Sequence, residues 1–128
     1  MRKLLLLFSM LLFSISSKSQ TNPNPFNDCG IYAADAFTPN QDGVNDQFQV
    51  IIQGDCNPIS YHLRIFDRYG RRVFESIQPT ESWDGKYDVS GRQLSEGVYM
   101  WHLLANYMVP NETESMRIEE KGSIVLYR

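Results

Sequence analysis

The sequence contains few of the residues that build metal centres and catalytic sites. Its 128 residues include two histidines and two cysteines, and their spacing is not that of a four-ligand zinc site. It has no glycine-rich phosphate loop and no Gly-x-Ser-x-Gly turn to present a nucleophile. His62 and His102 are flanked by aromatic and aliphatic residues, which favours a structural role for both. We therefore expect no enzymatic activity.

An excess of positive charge and long apolar segments are also missing. Twelve Lys and Arg residues stand against fifteen Asp and Glu, which gives a net charge of -3, so we expect no nucleic-acid partner. The longest apolar run, Leu4 to Phe13, is about half of the roughly 20 residues that span a bilayer. The length allows one folded domain. These absences exclude a polytopic membrane protein and a multidomain enzyme.

The N-terminal segment has the organisation of a secretory signal peptide. A basic start, Met1 to Lys3, precedes the apolar run, and a polar stretch from Ser14 to Gln20 follows it. We expect cleavage before Gln20, so that residues 1–19 are removed after Sec export to the periplasm. The alternative is an uncleaved N-terminal anchor. We expect no transmembrane segment in the mature chain, which loses three basic residues and becomes more acidic.

Cys29 and Cys56 are the two cysteines, and both lie in the mature chain. Export places them in an oxidising compartment, which favours a disulfide between them. Such a bridge would stabilise the fold by roughly 3–4 kcal/mol, because it restricts the unfolded chain. Two unpaired buried thiols are the alternative.

The mature chain has the pattern of short strands separated by turns. Residues 20–35 form a Pro/Asn-rich linker and a first strand, and Tyr61, Leu63 and Ile65 alternate with polar residues in a later strand. No window of eleven or more residues has helical periodicity. The pattern predicts an all-β protein, an immunoglobulin-like β-sandwich of about seven strands. Further apolar positions share one face of the longest strand: Tyr99, Trp101, Leu103, Ala105 and Tyr107.

One loop has the composition of a cation site. It carries four oxygen-bearing side chains around Gly43, namely Asn40, Asp42, Asn45 and Asp46. Carboxylate and amide oxygens suit calcium, but the loop lacks the acidic residues at both ends that an EF-hand requires. The alternative is an Asx-rich turn in which these side chains cap their own backbone. Calcium is the one cofactor that the sequence leaves open.

Two further features have both a structural and a functional interpretation. Arg64, Arg68, Arg71 and Arg72 fall on one predicted hairpin, either as a solvated turn or as a docking patch for an acidic partner. Trp83 precedes an Asp-Gly turn and is either a ligand platform or a plug of the sandwich.

The order of motifs resembles a known family. The motifs are Ala36-Phe-Thr-Pro-Asn40 with Asp42-Gly-Val-Asn-Asp46, Leu63-Arg-Ile-Phe-Asp-Arg-Tyr-Gly70, Trp83-Asp-Gly-Lys86, Gly97-Val-Tyr99 and Gly122-Ser-Ile-Val-Leu-Tyr-Arg128. Together, over residues 36–128, they resemble the gliding motility-associated C-terminal domain, the type B sorting domain of the type IX secretion system. Each motif is weak alone, but their shared order and spacing are specific.

The resemblance implies an exported protein that reaches the cell surface or the medium. Its implied partners are the outer-membrane translocon and an associated β-barrel protein of the same secretion system. The implied docking surface comprises Arg64, Arg68, Arg71, Arg72, Trp83, Asp84, Lys86, Gly122, Leu126 and Arg128. The last strand, Gly122 to Tyr127, is also a candidate edge strand that pairs with a partner sheet.

The short interval between Gln20 and Ala36 leaves no room for a cargo domain. We therefore expect a stand-alone sorting domain. The alternative is a surface or periplasmic interaction module, with or without calcium, that has no sorting role.

Overall fold

The computed structural model describes residues 29–54, 56–108 and 113–128. The predicted signal peptide and the linker up to residue 28 lie outside these residues. Within them the chain forms strands joined by turns, and no helix of the described part is long and apolar enough to cross a membrane. The described strands are β1 (Ile31–Ala33), β2 (Ala36–Phe37), β3 (Val50–Ile52), β4 (Asn57–Phe66), β5 (Arg72–Ser76), β6 (Gly97–Met108) and β7 (Ser115–Leu126).

The strands form two sheets. Five of them are hydrogen-bonded in the order β2-β7-β6-β4-β5, and β1 pairs with β3 in a small second sheet. All neighbours are antiparallel except β2 and β7, which are parallel. The predicted all-β fold, an immunoglobulin-like β-sandwich of about seven strands, is confirmed by this arrangement.

The long strands β4 and β6 alternate as their sequences predict. Their inward side chains are at most 7% exposed, whereas His62, Arg64 and His102 lie on the outer face of the large sheet. Because successive side chains of a strand point to opposite faces, the apolar side chains are buried while their polar neighbours stay on the outer face. The buried residues of these two strands are Tyr61, Leu63, Ile65, Tyr99, Trp101, Leu103, Ala105 and Tyr107.

Two links join the two layers. Cys29 and Cys56 form the predicted disulfide, with their Cα atoms 5.8 Å apart. The buried Tyr61 hydroxyl donates to the carbonyl of Val50 in β3 at 3.1 Å, and burial raises the pKa of this phenol to about 12. The hydroxyl therefore stays protonated and keeps donating across the core.

The terminal strand is longer than the sequence predicts and is not an edge along its whole length. It begins at Ser115, and its last residues pair with β2 through Val125 and Leu126. Among the described residues, its open stretch is therefore residues 115–124 rather than the predicted Gly122 to Tyr127. The end of the family motif, from Val125 on, is paired with β2, whereas Gly122 to Ile124 lie in the open stretch. Pairing with a partner sheet through those three residues stays a prediction.

Candidate docking surface

The last residue of the chain is fastened to two distant turns. The Arg128 guanidinium donates to the carbonyl of Leu94 through Nε and to the carbonyl of Gly85 through Nη2, both at 2.9 Å. The same Gly85 carbonyl accepts the backbone N–H of Leu94 at 3.0 Å. Three segments that are far apart in sequence therefore meet at one carbonyl oxygen, and charged donors make such hydrogen bonds stronger than neutral ones.

The Trp83–Lys86 turn is built to receive this end of the chain. Gly85 has a φ of +77°, and a Cβ there would lie 3.1 Å from the Leu126 side chain and 3.3 Å from that of Arg128. A larger residue would therefore be strained and would displace the terminus. Lys86 Nζ pairs with Asp84 Oδ2 at 2.5 Å, and Asp84 Oδ1 accepts the Lys86 N–H. The side chains of Asp84 and Lys86 are partly exposed, and a docking role for them stays a prediction.

Trp83 and Leu126 correct the predicted docking surface. Trp83 is 1% exposed and packs against Phe37 and Tyr99, with ring centroids 5.2 and 5.0 Å away. Its indole N–H donates to the Lys86 carbonyl at 2.7 Å, which satisfies the one polar atom of the ring. Leu126 is fully buried. Neither side chain is available to a partner, so Trp83 is the plug of the sandwich rather than a ligand platform.

Gly122 is the third inward-facing member of the predicted surface. It lies opposite Trp101 in the β6–β7 pair, and a Cβ there would lie 2.6 Å from the indole ring. The glycine thus makes room for the tryptophan, and it contributes to packing rather than to docking.

The turn between β4 and β5 is held by one carboxylate. Asp67 Oδ1 accepts the N–H groups of Tyr69 and Arg71, and Oδ2 accepts Arg71 Nε at 2.8 Å. Burial alone would raise the pKa of Asp67, but these hydrogen bonds and the Arg71 charge outweigh it and lower that pKa. The Tyr69 ring is 70% exposed, and the guanidinium carbons of Arg68 and Arg71 lie 5.1 and 5.5 Å from its centroid.

This turn, the segment 92–97 and Arg128 enclose a cavity of about 460 Å³, which we call the C-terminal cleft. Its residues come from three separate parts of the sequence, and the strand ends of the sandwich bring them together. Four arginines line the cleft: Arg68, Arg71, Arg92 and Arg128.

The predicted basic cluster is therefore divided. Arg68 and Arg71 line the cleft, whereas Arg64 and Arg72 lie beside Glu75 on the large sheet. Arg72 is ion-paired with Glu75, and the Arg64 Nε is buried with no hydrogen-bond partner among the described residues. Arg64 and Arg72 therefore lie on the face of the large sheet and do not line the cleft.

Sequence reasoning missed Arg92. The Ser90-Gly91 pair is a turn signal, and the structure folds it so that the Arg92 carbonyl accepts the Tyr87 N–H at 2.9 Å. That turn carries Arg92 to the cleft. The turn is readable from sequence, but its position beside β4–β5 depends on how the strands pack.

The Asn40–Asp46 loop uses its oxygens on its own backbone. Asp46 accepts the N–H groups of Gln41 and Gly43 at 2.6 and 2.7 Å, and Asp42 accepts that of Val44 at 2.8 Å. The Val44 bond, together with that from Asn40, lowers the pKa of Asp42. Asn45 has a φ of 52°, a conformation that asparagine tolerates. These contacts favour the Asx-turn interpretation, and calcium binding stays a prediction.

Among residues 29–54, 56–108 and 113–128, no three His, Cys, Asp or Glu side chains are placed to hold a metal ion. The loop nevertheless borders the docking surface. A second cavity of about 450 Å³ is lined by residues of this loop and of the Trp83–Lys86 turn, and Arg128 lines both this cavity and the C-terminal cleft.

Comparison with known families identifies the domain. The profile of the CHU_C Type IX secretion signal domain matches residues 31–126. The chain belongs to this family. The resemblance to a type IX sorting domain is thereby confirmed, and the motifs quoted above lie in the matched segment or just beyond its end. The type IX secretion signal domain is a sorting module, and membership implies export towards the cell surface.

Among solved structures, the chain is similar to part of PorZ, described as an essential bacterial surface component of the type-IX secretion system of Porphyromonas gingivalis. The two share 19% identity with a TM-score of 0.38, over 77% of this chain and 12% of that one. This chain therefore corresponds to about one eighth of the PorZ chain. The curated proteins contain no match.

Proposed function

We propose that this domain is the sorting signal that directs export across the outer membrane by the type IX secretion system. In this proposal Sec export delivers the chain to the periplasm, and the domain then docks on the translocon and its associated outer-membrane β-barrel protein. The observation that carries the proposal is the match of the secretion signal family over residues 31–126.

We place the docking site at the C-terminal cleft and the adjoining Trp83–Lys86 turn. The docking residues predicted from the sequence are spread from Arg64 to Arg128, and a folded domain needs one surface to present them. Arg128 fastens the chain end to Gly85 and Leu94, and the cleft opens beside it. A rigid, preformed surface costs less entropy on binding than a mobile one.

The test is a transplant of the mature chain. Residues 20–128 are fused to the C-terminus of a fluorescent reporter that carries its own signal peptide, in a host with the secretion system. We expect reporter on the surface or in the medium, and we expect the reporter alone to remain in the periplasm. Retention of both would contradict a sorting role and would leave an interaction module as the function.

Deletion of residues 122–128 is a poor negative control. It removes Ile124 and Leu126, which are fully buried, so lost export would reflect unfolding. Arg128→Ala is sharper, because it removes two hydrogen bonds, to the Leu94 and Gly85 carbonyls, and leaves the buried side chains of the core in place. We expect this variant to remain folded, with a loss of about 1 kcal/mol of stability, and to be exported less than the parent.

The matched control for Arg128→Ala is Arg117→Ala. Arg117 is an exposed arginine near the start of β7, the strand that leads to Arg128, with one weak contact of 3.5 Å to Glu119. Export of the Arg117 variant at the parental level, beside reduced export of the Arg128 variant, would support docking at the C-terminal end. Equal export of all three chains would contradict that location.

A further inference from the structure

The arginines of the C-terminal cleft are not matched by carboxylates. Arg71 pairs with Asp67, whereas Arg68, Arg92 and Arg128 form no ion pair within the described part of the chain. The carboxylate side chains of the lining are those of Asp67, already engaged by its own turn, and Glu96. The cleft therefore concentrates positive charge on a chain whose net charge is -3.

The lining of the cleft has an apolar part as well as a charged one. Leu94, Val98 and Tyr99 form this part, which we call the apolar floor, and the exposed Tyr69, which we call the rim, has two guanidinium groups near its ring. Arginine and tyrosine are the residues most enriched in the energetic centres of protein interfaces. The Asp67 hydrogen bonds hold the rim in one conformation, so little freedom remains to be lost on binding.

We propose that the C-terminal cleft binds an acidic protein segment, one that carries two or more carboxylates beside an apolar side chain. The arginine guanidinium groups donate hydrogen bonds to the carboxylates, and the apolar floor contacts the neighbouring apolar side chain. A concave cavity with an apolar floor fits a chain segment better than the flat surface of an anionic membrane. This inference rests on the proposed function, because it names the partner chemistry of the same docking surface.

The test compares two double charge reversals. Arg68→Glu with Arg92→Glu reverses two exposed cleft residues that carry no described side-chain hydrogen bond. Arg117→Glu with Lys121→Glu makes the same change in net charge on the outer face of β7. Thermal unfolding checks that both variants fold. Binding of the labelled mature chain is then measured on opened outer-membrane vesicles from a host with the secretion system, whose periplasmic face is accessible, and on protein-free vesicles of the same lipids.

We expect the parent to bind the native vesicles. Its affinity should fall as the salt concentration is raised, because the interaction is between charges. The cleft variant should lose about tenfold or more in affinity, and the β7 variant should stay within about twofold of the parent. Equal binding by the parent and the cleft variant would overturn the proposal. Equal binding of the parent to protein-free lipid would overturn it in favour of an anionic membrane.

Reporter export separates this inference from the proposed function. If the parent fusion and the cleft-variant fusion are exported equally, the acidic partner is wrong and the sorting role stands. If the parent fusion is not exported, the sorting role is wrong, whatever the vesicles show. Export of the parent and the β7 variant, with retention of the cleft variant, supports both.

Discussion

At the scale of the residue, Gly122 carries the sharpest steric requirement of the fold. Its missing Cβ would lie 2.6 Å from the indole of Trp101, which is itself buried. We expect Gly122→Ala to lower the free energy of unfolding by about 3 kcal/mol, because the ring has to shift within a packed core. Urea unfolding measures the loss.

Gly30→Ala is the matched control for that substitution. The nearest atom to a Cβ at Gly30 is 3.8 Å away, which is ordinary contact. We expect its stability to stay within about 0.5 kcal/mol of the parent. A loss of the same size in both variants would show that the Trp101 contact is not the cause.

A carboxylate on the outer sheet face contributes to the acid sensitivity of the fold. Glu75 accepts His62 Nε2 at 2.6 Å, and this bond, with the nearby Arg72 charge, lowers its pKa from 4.5. A carboxyl whose pKa is lowered in the folded state stabilises the fold at pH values above its pKa in the unfolded chain. This stability is lost as the pH falls through the pKa of the folded state. Glu75→Gln should therefore be less stable than the parent at neutral pH, with the difference shrinking below about pH 4.5.

Melting temperatures between about pH 3 and pH 7 test this dependence. Hydrogen bonds also lower the pKa values of Asp42, Asp67 and Glu119, so the variant should keep part of the acid sensitivity. Glu114→Gln changes an exposed carboxylate with no ion pair in the described chain, and its profile should follow the parent. A constant difference between the Glu75 variant and the parent across this range would contradict the account.

At the scale of the element, the small β1–β3 sheet depends on the disulfide. Each of its strands has three residues, and the bridge ties the chain before β1 to the start of β4 across 27 residues of sequence. Replacing both cysteines by serine should lower the free energy of unfolding by about 3–4 kcal/mol, as the entropy of a loop of that length implies.

The reduced parent provides the control for the cysteine variant. Under a reducing agent the parent should unfold at nearly the same denaturant concentration as the double serine variant. A loss below about 1 kcal/mol in both would mean that the two sheets hold together without the bridge.

The strands were predictable because alternation reports which face is buried. Tyr61, Leu63 and Ile65 point inward, as their spacing indicates, and so do the aromatic positions of β6. The terminal strand was predicted too short, since the charged run Arg117 to Lys121 hides the start of β7. Charge at an exposed edge is compatible with a strand and discourages unwanted pairing.

Side-chain direction limited the prediction of the site. Trp83 and Leu126 belong to motifs that mark the family, yet both point into the core. Arg92 belongs to no motif and still reaches the cleft. Spacing within one strand fixes a face, but the meeting of three distant segments at Gly85 depends on packing that no local pattern encodes.

At the scale of the whole molecule, the melting temperature reports whether the Asn40–Asp46 loop binds calcium. Its carboxylates already accept backbone N–H groups, so we expect the same melting temperature in excess calcium and in a chelator. A ligand that binds the native state raises that temperature. A higher melting temperature in calcium would show that the loop is a cation site, and Asp42→Asn with Asp46→Asn should then abolish the rise.

The central claim is that the folded domain is a working type IX signal. The most direct measurement is the fraction of the reporter fusion found outside the cells, in a host with the intact secretion system and in a matched host that lacks the translocon. We predict that the fusion leaves the cells in the first host and accumulates in the periplasm in the second. The same extracellular fraction in both hosts, or periplasmic retention in both, would contradict the account.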